Sequence, residues 1–152
     1  MRLADEMGIL DYPCPSGGCL LTDPQYARRL KEHLRYSSRL NLVDTALLKL
    51  GRHFRVKECK VIVGRNKEEN KSLLAIARRE KKPYLDVVEY MSPITLMDGK
   101  NIENIIQKAA EITIRYSDAP KDFAVKVKVV HRGQHIIEAH SIEDTAVEPF
   151  RI

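Results

Sequence analysis

Cys14 and Cys19 flank Ser16-Gly17-Gly18 in the stretch PCPSGGCLLTDP, residues 13–24. Metal ligation, thiol or sulfur transfer, and phosphate binding all use side chains and turns of this kind. The C-x4-C spacing is wider than the x2 spacing of common zinc knuckles, and no second pair follows it. His33 and His53 would complete a zinc site only through the fold. A redox or sulfur-carrying pair needs a strained, exposed turn, which Pro13, Pro15, Gly17 and Gly18 can supply. A Gly-rich turn with half-buried thiols is the simplest alternative. As an ATP-pyrophosphatase loop the stretch falls short of S-G-G-x-D-S: Cys19, Leu20 and Leu21 follow the glycines, where an acid and a second serine are needed. The G-x4-G-K-[ST] and G-x-G-x-x-G patterns are also missing. ATP chemistry on this chain is therefore not expected, and no metal or cofactor is assigned. Cys59 lies in a strand pattern and reads as core.

The basic residues are more informative. GRHFRVKECKVIVGRNKEEN (residues 51–70) is read as placing Arg52, His53, Arg55 and Lys57 on one strand face. It then sets Arg65 and Asn66 at a strand-to-helix corner, with Asn70 one helical turn on. A helix N-terminus with free N–H groups, an arginine and two amides suits phosphate. Arginine forks onto phosphate and stacks on bases, and amides bond phosphate, 2′-hydroxyl or base edges. A cap plus a surface salt bridge would account for the Arg65-Asn66 pair equally simply. Arg28, Arg29 and Arg35 extend the basic track upstream, and Tyr36 is a candidate for stacking. His131, His135 and His140 cluster around a hairpin and read as surface residues rather than metal ligands.

The elements that position these groups follow from periodicity. Residues 1–8 read as the end of a helix closed by Gly8. Thr22 and Gln25 have capping-box spacing for a helix over about 23–36, with Tyr26, Ala27, Leu30 and Leu34 as its apolar stripe. A short helix follows over about 42–50, with Gly51 as its stop. RHFRV alternates as a strand, and the more apolar CKVIV (59–63) reads as a central one. Asn66 and Glu69 have N-cap and N3 spacing for a helix to about 80 that turns Leu73, Leu74, Ile76 and Ala77 inward. Strands are expected over 84–90 and 93–99, and a long helix over 102–116 capped by Asn101. FAVKVKVV (123–130) alternates from Phe123, and Arg132-Gly133 turns it into QHIIEAH as a hairpin.

At 152 residues with 43% hydrophobic content, the chain can bury a core. It has no apolar run near 18 residues, and MRLADEMGILDY lacks the apolar region of a signal peptide. Three cysteines suit a reducing compartment better than a disulfide framework, so the expected location is cytoplasmic with no membrane partner. The net charge of +5 favours a polyanionic partner. Clusters such as Arg28–Arg39 and Lys49–Lys60 put the basic face in the first half, and the tail is acidic with Glu138, Glu143, Asp144 and Glu148. The expected fold class is α+β, a mixed or antiparallel sheet flanked by helices, with an N-terminal helical extension. The expected division is a Cys-containing turn and basic helical extension over 1–50, then an α+β domain over 51–152.

The pattern I-x-V-G-R-N-x-x-x-N, carried by Arg65, Asn66 and Asn70, resembles the NFACT-R RNA-binding domain family. KAAEITIRYSDA followed by VKVKVVHRG resembles that family's last helix and strand pair, so the likeness spans roughly residues 51–140. It implies an RNA-binding domain. GILDYPCPSGGCLLTDPQYARRL is similar to the segment that follows the PP-loop domain in tRNA thiouridylase-like proteins (2-thiouridine synthase-like) that end in an NFACT-R-type domain. That likeness implies tRNA or another structured RNA as partner and a PP-loop ATPase domain or subunit alongside. It makes the chain the C-terminal part of such an enzyme, as a fragment or split subunit not active alone, and Cys14 and Cys19 candidates for sulfur handling. The alternatives are a cysteine-dependent sulfur-transfer or iron–sulfur accessory protein, and a protein-docking domain.

Overall fold

The computed structural model describes residues 22–152. The Cys14/Cys19 turn and the opening helical stretch lie outside the described residues. The chain divides into two units, one up to Lys49 and one from Leu50.

In the first unit, α1 spans Pro24–Tyr36 and α2 spans Leu42–Leu48. Asp23, not Thr22, caps α1: its carboxylate accepts from the Gln25 and Tyr26 N–H groups at 2.8 and 3.3 Å. Pro24 then takes the first helical position, where its missing N–H costs nothing. Asn41 and Asp44 form a reciprocal capping box on α2, at 2.8 and 3.1 Å. The buried face of α1 is Tyr26, Arg29 and His33, whereas Leu34 is 51% exposed. The expected apolar stripe is thus rotated, because Arg29 Nη1 donates to the Leu48 carbonyl (2.9 Å) and His33 Nε2 lies 3.0 Å from the Arg39 carbonyl. Leu48 closes α2, so Arg29 satisfies one of the carbonyls that a helix end leaves without an intrahelical donor.

In the second unit the strands are β1 Arg52–Val56, β2 Cys59–Val63, β3 Tyr84–Val87, β4 Thr95–Asp98, β5 Val125–Val130 and β6 Gln134–Ala139. They form one six-stranded sheet in the order β1-β2-β4-β3-β5-β6, with every pairing antiparallel. Helix α3 spans Lys67–Arg79, α4 spans Ile106–Arg115, and α5 is a single turn, Asp144–Val147. The fold is α+β, as the order of the sequence patterns implies.

Strand alternation decides the layers. Phe54, Val56, Val61, Val63, Leu85, Met97, Val127 and Val129 share one face and form the main core with Ala109, Ala110, Ile112 and Ile114 around α4. Ile62, Leu96 and Tyr84 lie on the opposite face, where α3 brings Leu73, Ile76 and Ala77. Residues 151–152 lie along part of the β1 edge. Arg151 bridges Phe54 and the Ile152 N–H donates to the His53 carbonyl at 3.0 Å, which leaves less edge to recruit another strand.

Two further expectations are corrected. Asn101 adopts a left-handed conformation (φ 56°) and makes no side-chain cap; a 3-10 turn over Ile102–Asn104 precedes the α-helix. Phe123 lies before β5 and is 54% exposed rather than inward.

Inside the core, Thr113 Oγ1 of α4 lies 2.7 Å from both the Ala109 carbonyl and the Thr95 hydroxyl, both threonines being fully buried; its one proton goes to the carbonyl, and the Thr95 hydroxyl donates to Thr113 Oγ1. Replacing Thr113 by Val strands the Thr95 hydroxyl, and the expected cost is about 1–3 kcal/mol in urea unfolding. Thr95→Val/Thr113→Val should cost less than the two single changes summed. Strict additivity would contradict the hydroxyl pairing.

Candidate nucleic-acid interface

The corner between β2 and α3 is three residues long, Gly64-Arg65-Asn66. A Cβ on Gly64 would stand 1.9 Å from Asn70 Oδ1, so only glycine lets that amide reach across. Asn70 Oδ1 accepts from the Ile94 N–H (3.0 Å), and the Gly64 N–H donates to the Ile94 carbonyl (3.0 Å). Asn66 caps α3 by accepting the Glu69 N–H at 2.9 Å. The two amide oxygens therefore have structural duties. Their NH2 groups have no hydrogen-bond partner among the described residues, so they remain free to donate to phosphate or sugar oxygens.

Glu69 sits inside the corner with a side chain only 11% exposed. It accepts from the Arg65 backbone N–H at 2.9 Å and from the Arg65 guanidinium at 2.6 and 3.1 Å. Burial pushes its carboxyl up, but bonds from the Arg65 side chain, the Arg65 backbone and the Gly51 backbone outweigh burial and hold it below its ordinary value. The same bond to Glu69 raises the Arg65 guanidinium, against the opposing effect of burial. Much of the Arg65 charge is thus offset inside the corner. What it presents outward is the open side of a planar donor group, on a side chain 38% exposed.

The other sequence-derived site residues divide. Arg52 pairs in register with Val63, next to the corner, and its guanidinium lies 4.5 Å from the centroid of the Tyr116 ring. It shares the face of Phe54 and Val56, so it does not lie on the face of His53 and Arg55, as the sequence reading expected; alternation along β1 separates them. His53 is 2% exposed and its Nε2 lies 2.8 Å from the Leu50 carbonyl. Arg55 is half-buried and donates to the Glu58 carbonyl at 3.3 Å. On α1, Arg28 and Arg35 are exposed, while Arg29 is turned inward onto Leu48. Cys59 is buried, its thiol donates to the Lys100 carbonyl at 2.7 Å, and burial pushes its pKa up. It has the inertness of a core thiol. Among the described residues, no group of three His, Cys, Asp or Glu is placed to hold a metal ion.

A second basic surface lies at the opposite end of the sheet and was not singled out in the sequence. A groove of about 850 Å³ is lined by Arg78, Lys81 and Lys82 after α3, by Lys100 after β4, and by His131 and Arg132 after β5. The signal was present in ARREKKP (77–83), DGK (98–100) and HRG (131–133), but these runs are distant in sequence and only the antiparallel register gathers them.

The domain is an antiparallel α+β sheet with a glycine-made corner at one end of its strands and clustered cations at the other. Residues 51–151 match the family described as NFACT protein RNA binding domain, and the chain belongs to that family. Among solved structures, the chain is similar to the C-terminal part of the fibronectin/fibrinogen-binding protein from Streptococcus suis, with a TM-score of 0.56 and 16% identity. That likeness covers 83% of this chain and 59% of the other, and it concerns the fold. No curated protein shows significant similarity to the chain.

Removing Arg65 leaves Glu69 buried beside too few donors. Arg65→Ala should cost about 1–3 kcal/mol at neutral pH. Because the folded-state pKa of Glu69 is depressed, the stability it contributes is complete above the unfolded value of about 4.3. It is lost as pH falls through the folded value. The cost of Arg65→Ala should therefore shrink in acid, as read by urea unfolding across pH. A pH-independent cost would contradict the pairing.

Proposed function

We propose that the chain is the RNA-binding module of a tRNA sulfur-modification system, taking structured RNA, tRNA first, by its sugar–phosphate backbone. The family match over 51–151 carries the RNA part of this reading. The contact set is Arg52, Arg65, Asn66 and Asn70 at the corner; Arg55, on the other face of β1, and the exposed Arg28 and Arg35 of the first unit are further candidate contacts. Arg29 and His53 serve as internal posts, consistent with their burial. The tRNA sulfur-modification context rests on the Cys14/Cys19 segment, whose likeness is to thiouridylase-like proteins. In this reading a PP-loop ATPase domain or subunit supplies the adenylation, and the chain alone hydrolyses no ATP. Its compartment is the cytoplasm. Among the described residues, no helix is long and apolar enough to cross a membrane.

A second reading gives Cys14 and Cys19 a direct part in sulfur handling. The burial of Cys59 leaves Cys14 and Cys19 as the thiols such a role would use. Persulfide labelling that marks Cys14 or Cys19 but not Cys59 would support it.

Fluorescence anisotropy of the full chain with bulk tRNA, and with duplex DNA as control, tests the main reading. The expected result is tight tRNA binding, weaker DNA binding, and a fall in affinity with salt that is linear on a log–log plot. No binding to tRNA at low salt, or equal binding to DNA, would overturn it.

A further inference from the structure

The groove at the far end of the sheet carries features that the fold does not require. Lys81 occupies the left-handed position that ends α3 (φ 54°), and the Lys82 N–H closes the motif on the Ala77 carbonyl at 2.9 Å. Glycine is the residue of least strain at such a helix end. Arg132 likewise adopts φ 51° at the tip of the β5–β6 hairpin. Two cations therefore stand in backbone conformations that favour glycine or asparagine, and both line the same groove.

The charges around them are unevenly matched. Lys82 pairs with Asp98 at 2.7 Å, and Glu103 faces both His131 (3.0 Å) and Arg132 (3.4 Å). Among the described residues, no acidic side chain pairs with Arg78, Lys81 or Lys100. The C-terminal end of α3 favours a cation at Arg78 in any case. It gives no such account of Lys100, which comes from a different loop. Of the rings in the lining, Tyr84 is only 8% exposed and the His131 side chain, 3.0 Å from Glu103, is 17% exposed, so the groove offers little ring face for a base to stack on.

We propose that this groove is a second RNA site, which grips the phosphodiester backbone through Arg78, Lys81 and Lys100 without reading bases. The proposal rests on the RNA-binding reading above and adds where, and through what chemistry, the polymer docks. A groove rich in cations and poor in stacking face tracks phosphates and discriminates little by sequence.

The variant Arg78→Ala/Lys81→Gly/Lys100→Ala separates this role from a structural one. All three residues are exposed, and Lys81→Gly relieves the left-handed backbone, so the melting temperature should hold or rise. tRNA affinity of the full chain should nonetheless fall roughly tenfold or more, and the salt slope should drop by about 2–3. Lys126→Ala, an exposed cation on β5 outside the groove, should change neither. Amine-acetylation footprinting should show tRNA protecting Lys81 and Lys100 but not Lys126. If wild type binds tRNA while the triple variant keeps its affinity and slope, the groove is overturned and the RNA reading stands. If wild type binds no tRNA, both fail.

Discussion

A single carboxylate organises the second unit. Glu69 is nearly buried, and a charge so placed must be satisfied by donors or neutralised. The Arg65 side chain, the Arg65 N–H and the Gly51 N–H all meet it. These donors come from just after β2 and just before β1, so one side chain of α3 ties the helix to both strands. Gly64 makes room for the parallel bond from Ile94 to Asn70, which ties α3 to the approach to β4. With its first turn pinned, α3 runs about 20 Å at 1.5 Å per residue. Its last turn is thereby delivered to the other end of the sheet, where Arg78 and Lys81 meet Lys100. The corner and the groove are two ends of one constrained helix.

Much of this was legible in the residues. The alternation of VKVKVV, the apolar CKVIV and the cap at Asn66 gave β5, β2 and the start of α3 directly, because each depends on local periodicity or a local bond. The duty of Glu69 was not legible: its spacing from Asn66 looked like a capping box, whereas its carboxylate turns to Arg65. Arg29 was expected off the buried stripe, and His33 was not counted in it, because apolar residues define such a stripe. Polar side chains took that face by bonding the carbonyls of Leu48 and Arg39, a choice made by tertiary structure. The placement of Arg52 opposite His53 and Arg55 follows from strict alternation, and pooling them as one basic face overlooked it. The groove escaped notice because its cations come from three separate loops.

A shared fold at 16% identity shows how the chain is built and transfers no ligand. Family membership supplies the RNA-binding class, and the positions of the cations supply a physical account of it. Arg65 is half-neutralised by Glu69 and behaves as a directional donor. Lys81 and Lys100 carry no such partner among the described residues and behave as point charges on flexible stems. A polymer with regularly spaced phosphates could engage both kinds of site, one fixing orientation and the other adding affinity that weakens with salt.

Backbone amide chemical shifts of the isotopically labelled full chain, followed as a structured RNA hairpin is added, test the central claim most directly. The account predicts perturbations gathered in the β2–α3 corner around Arg65–Asn70 and in the three groove loops around Lys81, Lys100 and Arg132. Perturbations confined to β6 or to α1 and α2, or none at saturating RNA, would contradict it.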